Sequence, residues 1–176
     1  IGIKTKNVFV VSLLGSGADG KVLLVANSKG HVSAMKLIKE NGNGRENAIK
    51  EANQEAQNWN AVYEDYCKLY GWSIRNELWM GIPAVIMPVF NQFTTKEERL
   101  GNLDGIRKCL QLFHSKGYFH DDVYWRNIGY FKADGKITII LLDLHPNRVC
   151  EQKNNGSWIN TAINDLEKRA NIEPWS

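Results

Sequence analysis

The stretch from Gly15 to Val22 has the composition of a loop that could hold phosphate groups. It reads Gly-Ser-Gly-Ala-Asp-Gly-Lys-Val. Glycines allow a strand–turn–strand backbone to lie close over phosphates, with its amide hydrogens directed at the anion. For this string alone, a glycine-rich hairpin without a ligand is an equally good interpretation. A dinucleotide-binding βαβ unit is disfavoured, because residues 22–26 favour a strand after the loop and not a helix.

Two charged residues lie in apolar stretches, where an isolated charge is unfavourable. Lys36 lies within the strand-like stretch 31–38 and needs a partner to offset the loss of its hydration. Asp143 ends the apolar stretch 137–143 and is costly there unless it binds a cation or caps a turn. Taken one at a time, a solvated lysine and a turn-capping aspartate remain the alternatives.

The most specific string runs from His120 to Asn127 and reads His-Asp-Asp-Val-Tyr-Trp-Arg-Asn. It follows an amphipathic helix predicted over 102–116 and precedes a hairpin around Lys-Ala-Asp-Gly-Lys at 132–136. The string has the form His-x-Asp-x₄-Asn, which is that of the catalytic loop of protein kinases. With the glycine loop, the lysine-bearing strand and the aspartate-ended strand in the same order, the chain from about residue 8 to residue 145 resembles the eukaryotic protein-kinase family.

The resemblance implies roles for five polar residues. Asp122 would be the catalytic base that accepts the proton of the attacking hydroxyl or orients it. Lys36 would grip the α and β phosphates of ATP, with Glu55 as its ion-pair partner. Asn127 and Asp143 would hold Mg²⁺, or Mn²⁺, beside the phosphates.

The partner of Lys36 is expected on the helix that the sequence predicts from Arg45 to about Leu69. Glu51 and Glu55 lie one turn apart on this helix, where a solvated face is the ordinary interpretation. Glu55 lies nineteen residues after Lys36 and has apolar residues four and seven positions later, as in the αC helix of kinases. We therefore favour Glu55 over Glu51.

The resemblance also implies which residues contact ATP. Val22 and Ala34 would cover the adenine from above. Met87 would occupy the gatekeeper position, and the segment 88–90 would read the edge of the adenine through its backbone groups. The residues implied to contact ATP are Gly15, Ser16, Gly17, Gly20, Val22, Ala34, Lys36, Met87, Pro88, Val89 and Phe90.

Several positions depart from the family pattern. Asp121 replaces the arginine that pairs with a phosphorylated activation loop, so control by such a phosphorylation has no support here. Tyr124 stands where a lysine is common in serine/threonine kinases. Leu144 and His145 replace Phe-Gly after the metal-binding aspartate, and Gly129 replaces the bulky residue expected beneath the adenine.

The implied fold is α+β and bilobal, with an antiparallel β-sheet N-lobe that includes an αC helix and a truncated, mainly helical C-lobe. About thirty residues follow Asp143 and no Ala-Pro-Glu motif occurs, which resembles the small atypical kinases and effector-type kinase domains that lack most of the C-lobe. The first residue is Ile1, so a fragment of a longer protein stays open. The predicted organisation is a single domain over 1–176, divided into an N-lobe 1–87, a hinge and linker 88–101, and a reduced C-lobe 102–176 with a tail helix at about 159–170.

The composition argues against several other classes of protein. Hydrophobic residues make up 43% and charged residues 23%, as in soluble globular proteins. The net charge of +3 is weak and scattered, so no nucleic-acid partner is predicted. No stretch approaches the roughly 20 apolar residues that span a bilayer. Three widely spaced cysteines predict neither a zinc site nor a disulfide framework, which favours an intracellular location.

The predicted function is therefore an ATP- and Mg²⁺-dependent phosphotransferase, and foremost a protein kinase with an unknown protein substrate or activating partner. Two alternatives stay open. The altered motifs and the shortened lobe favour a pseudokinase-like nucleotide-binding interaction module. A small-molecule kinase, similar to the aminoglycoside or choline kinases, would keep the chemistry and change the acceptor.

Overall fold

The computed structural model describes residues 8–40, 42, 44–151 and 156–171. The chain divides into two units between Val89 and Phe90, within the segment predicted as hinge and linker. Helices and strands occur in both units, so the fold class is α+β. Among the described residues, none of the helices has the length and apolar character that crossing a membrane requires.

A five-stranded antiparallel sheet dominates the first unit, in the order β1-β2-β3-β5-β4. Valine, isoleucine and leucine are frequent in these strands, as expected for residues that pack well on a pleated surface. The sequence predicts strands for the β-branched and aromatic stretch 7–14, for 22–26 and for 31–38, which correspond to β1, β2 and β3; Asn7 lies outside the described residues. The strands are β1 Val8–Ser16, β2 Gly20–Asn27, β3 Val32–Ile38, β4 Arg75–Trp79 and β5 Ile82–Met87.

One face of this sheet carries an apolar cluster of Val25, Met35, Ala84 and Ile86, all buried. The edge strand β1 differs, because most of its side chains are exposed to solvent on both faces. The sheet is therefore buried most fully at β3 and β5, the strands that carry Lys36 and Met87.

The predicted helix from Arg45 to about Leu69 is two helices, α1 Gly44–Val62 and α2 Glu64–Tyr70. The interruption is at Tyr63, whose backbone leaves the helical region while its buried ring contacts the rings of Trp59 and Tyr66. The α2 helix ends at Gly71, which adopts the left-handed conformation common after helix C-termini.

Its described residues give the second unit three α-helices, a short 3₁₀ helix at Trp125–Asn127 and two small sheets. The predicted hairpin turns at Asp134 and Gly135, both with positive φ, as a two-residue type I′ turn requires. The sheets have the orders β6-β8-β9 and β7-β10. The elements are β6 Asn91–Gln92, α3 Lys96–Gly101, α4 Leu103–Ser115, β7 Tyr118–His120, β8 Ile128–Ala133, β9 Lys136–Leu141, β10 Val149–Glu151 and α5 Ser157–Lys168.

The segment 88–101 is more ordered than a linker, because it contains β6 and α3. Thr95 caps α3: its side chain accepts a hydrogen bond from the backbone N–H of Glu98, and the Glu98 carboxylate accepts one from the N–H of Thr95. The predicted tail helix is present as α5, which buries Ile159, Ile163 and Leu166.

Candidate functional site

Lys36 and Glu55 form a buried ion pair in the first unit. The Lys36 Nζ lies 3.0 Å from Oε1 and 2.9 Å from Oε2 of Glu55. The side chain of Lys36 is 7% exposed and that of Glu55 is fully buried. Glu51, the alternative partner considered from the sequence, instead accepts a hydrogen bond from the Asn47 amide on the same helix. The β3 strand and the α1 helix thus bring together the two residues expected to pair.

The register of the sheet places four predicted ATP-contacting residues on one face. Val22 lies opposite Lys36, and Ala34 lies opposite Met87. Leu24, which was not predicted, lies opposite Ala34 on the neighbouring strand. Residues directly opposite in a ladder share a face, and so do residues two apart on one strand. Lys36 therefore has apolar neighbours on both adjacent strands of this face.

The glycine loop is a tight turn between β1 and β2. Gly15 and Ser16 end β1, Gly20 begins β2, and the N–H of Gly17 donates to the carbonyl of Gly20 at 2.9 Å.

The two glycines of this turn differ in what the protein itself requires of them. At Gly20 φ is +152°, and an added Cβ would lie 1.9 Å from the carbonyl oxygen of Leu37. An added Cβ at Gly17 would meet no atom within 4 Å, and its φ lies outside the left-handed region. Packing against β3 thus explains why residue 20 must be a glycine, whereas no contact within 4 Å requires a glycine at residue 17.

The segment predicted to read the adenine follows β5 directly. Met87, the last residue of β5, is buried, while Pro88 and Phe90 are partly buried and Val89 is exposed. Phe90 begins the second unit and lies beside Gly129 of β8. A Cβ on Gly129 would lie 2.9 Å from the Cβ of Phe90 and 3.3 Å from the Asn91 carbonyl oxygen. A bulky side chain has no room at this position, which explains why a glycine stands where the kinase pattern has a bulky residue.

In the second unit, Asp122 lies within a set of hydrogen-bonded side chains. Arg126 Nη2 donates to both carboxylate oxygens, at 2.9 and 2.8 Å. Asn127 Nδ2 donates to the backbone carbonyl of Asp122 at 2.9 Å and to its Oδ2 at 2.8 Å. Because both acceptors are oxygens, this nitrogen must face Asp122, and the amide oxygen of Asn127 points away from the carboxylate.

His120 connects this loop to Asp143 through backbone groups. Its Nδ1 accepts from the N–H of Asp122 at 3.1 Å, and its Nε2 lies 3.0 Å from the carbonyl oxygen of Asp143. An N–H can only donate and a carbonyl can only accept, so the neutral ring carries its proton on Nε2. Burial lowers the pKa of His120, although the Asp143 carbonyl and nearby carboxylates act in the opposite direction. His120 thus orients the backbone at Asp122 and at Asp143.

Asp143 adopts a left-handed backbone conformation, with φ at +59°. This conformation costs a non-glycine residue roughly 1 kcal/mol, and Asp and Asn tolerate it better than most residues. The bond from His120 holds the Asp143 carbonyl, and the N–H of Leu142 donates to the Asn127 carbonyl at 2.6 Å. Local strain of this kind is concentrated at functional sites.

The residues expected to hold Mg²⁺ have suitable chemistry. Mg²⁺ binds oxygen ligands, and proteins often supply only one or two while phosphates and water supply the rest. The Asn127 amide oxygen and the Asp143 carboxylate are such ligands, on backbone segments joined by the bond from Leu142. Within the described part of the chain, no group of three or more His, Cys, Asp and Glu side chains could hold a metal alone. The residues present thus fit a metal shared with a phosphate ligand.

Arg126 is absent from the residues expected to act in the site. The sequence carried two signals for it: the spacing of four residues from Asp122, and the pair Arg126-Asn127, which resembles the tyrosine-kinase form of the loop. The structure places Tyr124 under the same arginine, with the Arg126 Cζ 4.3 Å from the ring centroid.

Comparison with known proteins identifies a family without an assigned activity. Residues 13–131 match the model described as "Family of unknown function (DUF5898)". The chain belongs to this family. The match spans the glycine loop, Lys36, Glu55, Asp122 and Asn127, and it ends before Asp143 and α5. No curated protein matches the chain.

Proposed function

We propose that this member of the DUF5898 family is an ATP- and Mg²⁺-dependent phosphotransferase with a bilobal protein-kinase-like fold and a protein hydroxyl as acceptor. The first unit would be the N-lobe and the second a reduced C-lobe. The observation that carries the proposal is the hydrogen-bonded set of Asp122, Arg126 and Asn127. In this set the Asp122 carboxylate is held as a catalytic base would be, and the Asn127 amide oxygen is held as a metal ligand would be.

The ion pair of the first unit supports the same function. A buried Lys–Glu pair is a poor device for stability, because a well-packed apolar pair is often as stable or more so. Lys36 on β3 and Glu55 on α1 are nevertheless both buried, and the lysine has apolar neighbours on its face of the sheet. A lysine held in this way can serve a phosphate, and kinases need their strand lysine paired with a helix glutamate.

In the proposed reaction the Asp122 carboxylate receives the proton of the acceptor hydroxyl. The acceptor oxygen forms a bond to the γ-phosphorus, and the bond from that phosphorus to its bridging oxygen breaks, so that ADP leaves. Asn127 and Arg126 keep the carboxylate in place through the hydrogen bonds they donate to it. Asn127 and Asp143 would hold Mg²⁺, which neutralises the charge on the β and γ phosphates.

The test compares three aspartate-to-asparagine variants in an assay with radiolabelled ATP, Mg²⁺ or Mn²⁺, casein as a protein acceptor, and choline and an aminoglycoside as small acceptors. Asp122→Asn should keep the thermal shift caused by MgATP and lose about 10²- to 10⁴-fold in transfer rate. Asp143→Asn should weaken the Mg²⁺-dependent shift, because a neutral amide binds the cation less well, while asparagine still tolerates positive φ. Asp121→Asn is the matched control, since Asp121 is exposed and adjacent.

The outcomes separate the proposal from its alternatives. Transfer to protein that depends on Asp122 supports it. A shift without transfer to any acceptor would favour a nucleotide-binding interaction module, and transfer only to choline or the aminoglycoside a small-molecule kinase. No shift with MgATP and no transfer would overturn the nucleotide-dependent function.

A further inference from the structure

Tyr124 contacts two guanidinium groups, one two residues later in the same loop and one directly after α5. The Arg126 Cζ lies 4.3 Å from the centroid of its ring, and the Arg169 Cζ lies 4.5 Å from it. Arg126 also donates to both carboxylate oxygens of Asp122. A continuous series of contacts therefore runs from Arg169 through Tyr124 and Arg126 to Asp122.

The next residue of the loop is anchored to the same end of α5. Trp125 Nε1 donates to the carbonyl oxygen of Leu166 at 2.9 Å, and both residues are buried. The buried Arg99 lies over the Trp125 ring at 5.6 Å and donates to the carbonyl oxygen of Ala170 at 3.0 Å. The dipeptide Tyr124–Trp125 is thus held against the C-terminal end of α5 by side chains and backbone groups.

The ion pair between Arg126 and Asp122 needs this support. The Arg126 side chain is 39% exposed, so water weakens the pair, and exposed pairs contribute only about 0–1 kcal/mol. Holding a long arginine side chain in one geometry also costs conformational entropy. A guanidinium group stacks well on an aromatic face while its edge stays available for a carboxylate. The Tyr124 ring supplies that face to Arg126.

We propose that Tyr124 and Arg169 are positioning residues that hold Arg126 on Asp122, so that α5 sets the orientation of the carboxylate that receives the proton. The inference rests on the proposed function. It also gives a role to Tyr124, a departure from the serine/threonine-kinase pattern, because a lysine at that position could not stack with two arginines.

The first experiment measures steady-state phosphoryl transfer by the wild-type chain and by four variants, each with a single substitution. Arg169→Gln and Tyr124→Leu should lower kcat by about 10- to 100-fold, because a small displacement of a reacting group has effects of this size. The KM for MgATP and the melting temperature should stay near those of the wild type. Tyr124→Phe keeps the ring beside Arg126 and loses only the hydroxyl group that interacts with Arg169, so it should retain more activity than Tyr124→Leu. Lys168→Gln is the matched control, because it removes the same charge from the adjacent, exposed position.

The second experiment does not depend on activity. The N–H of Asn127 donates to the carbonyl oxygen of Tyr124 at 2.9 Å, so hydrogen exchange in a peptide covering 121–128 reports on the order of the loop. Exchange should be faster in Tyr124→Leu and Arg169→Gln than in Tyr124→Phe and Lys168→Gln. Equal exchange in all four variants, or an equal loss of kcat in Lys168→Gln, would overturn the inference. If the wild type shows no transfer, the proposed function is wrong. The exchange rates would still decide whether α5 orders the loop.

Discussion

Lys36 with Glu55 in the first unit and Arg126 with Asp122 in the second are both two-oxygen cation–carboxylate pairs. They differ in their contact with water. The side chains of the first pair are 7% and 0% exposed, and those of the second are 39% and 11% exposed. The first pair joins a strand to a helix nineteen residues away, whereas the second closes a loop of four residues.

This difference predicts different roles for the two pairs in stability. Neither member of a buried pair can be hydrated when its partner is removed, so breaking the pair costs far more than the pair contributes. In the second pair the arginine side chain is 39% exposed, so water reaches the site and replaces part of what a missing partner supplied. If the proposed function holds, the first pair would couple nucleotide binding to folding, and the second would be open to substitutions that change activity alone.

The largest effect is expected from Lys36→Met. It leaves Glu55 as a buried carboxylate without its cation, which should lower the free energy of unfolding by about 3–5 kcal/mol in urea denaturation. The double variant Lys36→Met/Glu55→Leu should recover most of that loss, because it removes both charges. A decrease in the free energy of unfolding of less than about 1 kcal/mol in the single variant would contradict the exclusion of water from this pair.

A second comparison lies within the glycine loop. Gly20→Ala should destabilise the protein by about 1–3 kcal/mol, because its Cβ would overlap the carbonyl oxygen of Leu37 and the backbone must move. Gly17→Ala should change the free energy of unfolding by less than about 0.5 kcal/mol, since its Cβ meets open space. If Gly17→Ala nevertheless weakens the thermal shift caused by ATP, the loop approaches a ligand there. Equal destabilisation by the two variants would contradict the assigned packing role of Gly20.

Arg126→Gln should lower the free energy of unfolding by no more than about 1 kcal/mol in the same urea assay. Its effect on the transfer rate should be much larger than its effect on stability, because Asp122 loses the group that orients it. A stability loss as large as that of Lys36→Met would contradict the proposed contrast between the two units.

Glu98 extends the comparison to a fully exposed carboxylate, where the smallest effect is expected. Hydrogen bonds from the backbone N–H groups of Thr94 and Thr95 lower its pKa. The unfolded chain then binds more protons than the folded one as the pH falls below about 4.3, so stability present above that pH is lost on acidification. In Glu98→Gln this contribution to the pH dependence should disappear. Urea midpoints measured between pH 3 and 6 would show this difference. An identical dependence of the midpoint on pH in the variant and the wild type would contradict it.

Local patterns in the sequence were sufficient for much of the fold. Alternating and β-branched residues predicted β1, β2 and β3, and helical spacing predicted α4. The turn at Asp134–Gly135 follows from residues that tolerate positive φ. The break between α1 and α2 was missed, because Tyr63 has no helix-breaking chemistry, and its ring contacts Trp59 and Tyr66 only a turn away on either side.

For the candidate site, residue types and their order were enough to select Lys36, Asp122, Asn127 and Asp143, because phosphate and metal chemistry admits few side chains. The contacts between these and other groups required the tertiary structure. Glu51 and Glu55 lie on one helix face, and only the packing of α1 against the sheet brings Glu55 to the lysine.

The sequence by itself thus determined many of the strands, turns and helices, and which side chains could handle a phosphate. The tertiary structure alone decided that α5 reaches Tyr124 and Trp125, that Leu37 leaves no room for a side chain at Gly20, and that Asp143 adopts positive φ. The physical reason is the range of the interactions. Periodicity and turn chemistry act over a few residues, whereas these contacts join positions that packing brings together from distant parts of the chain.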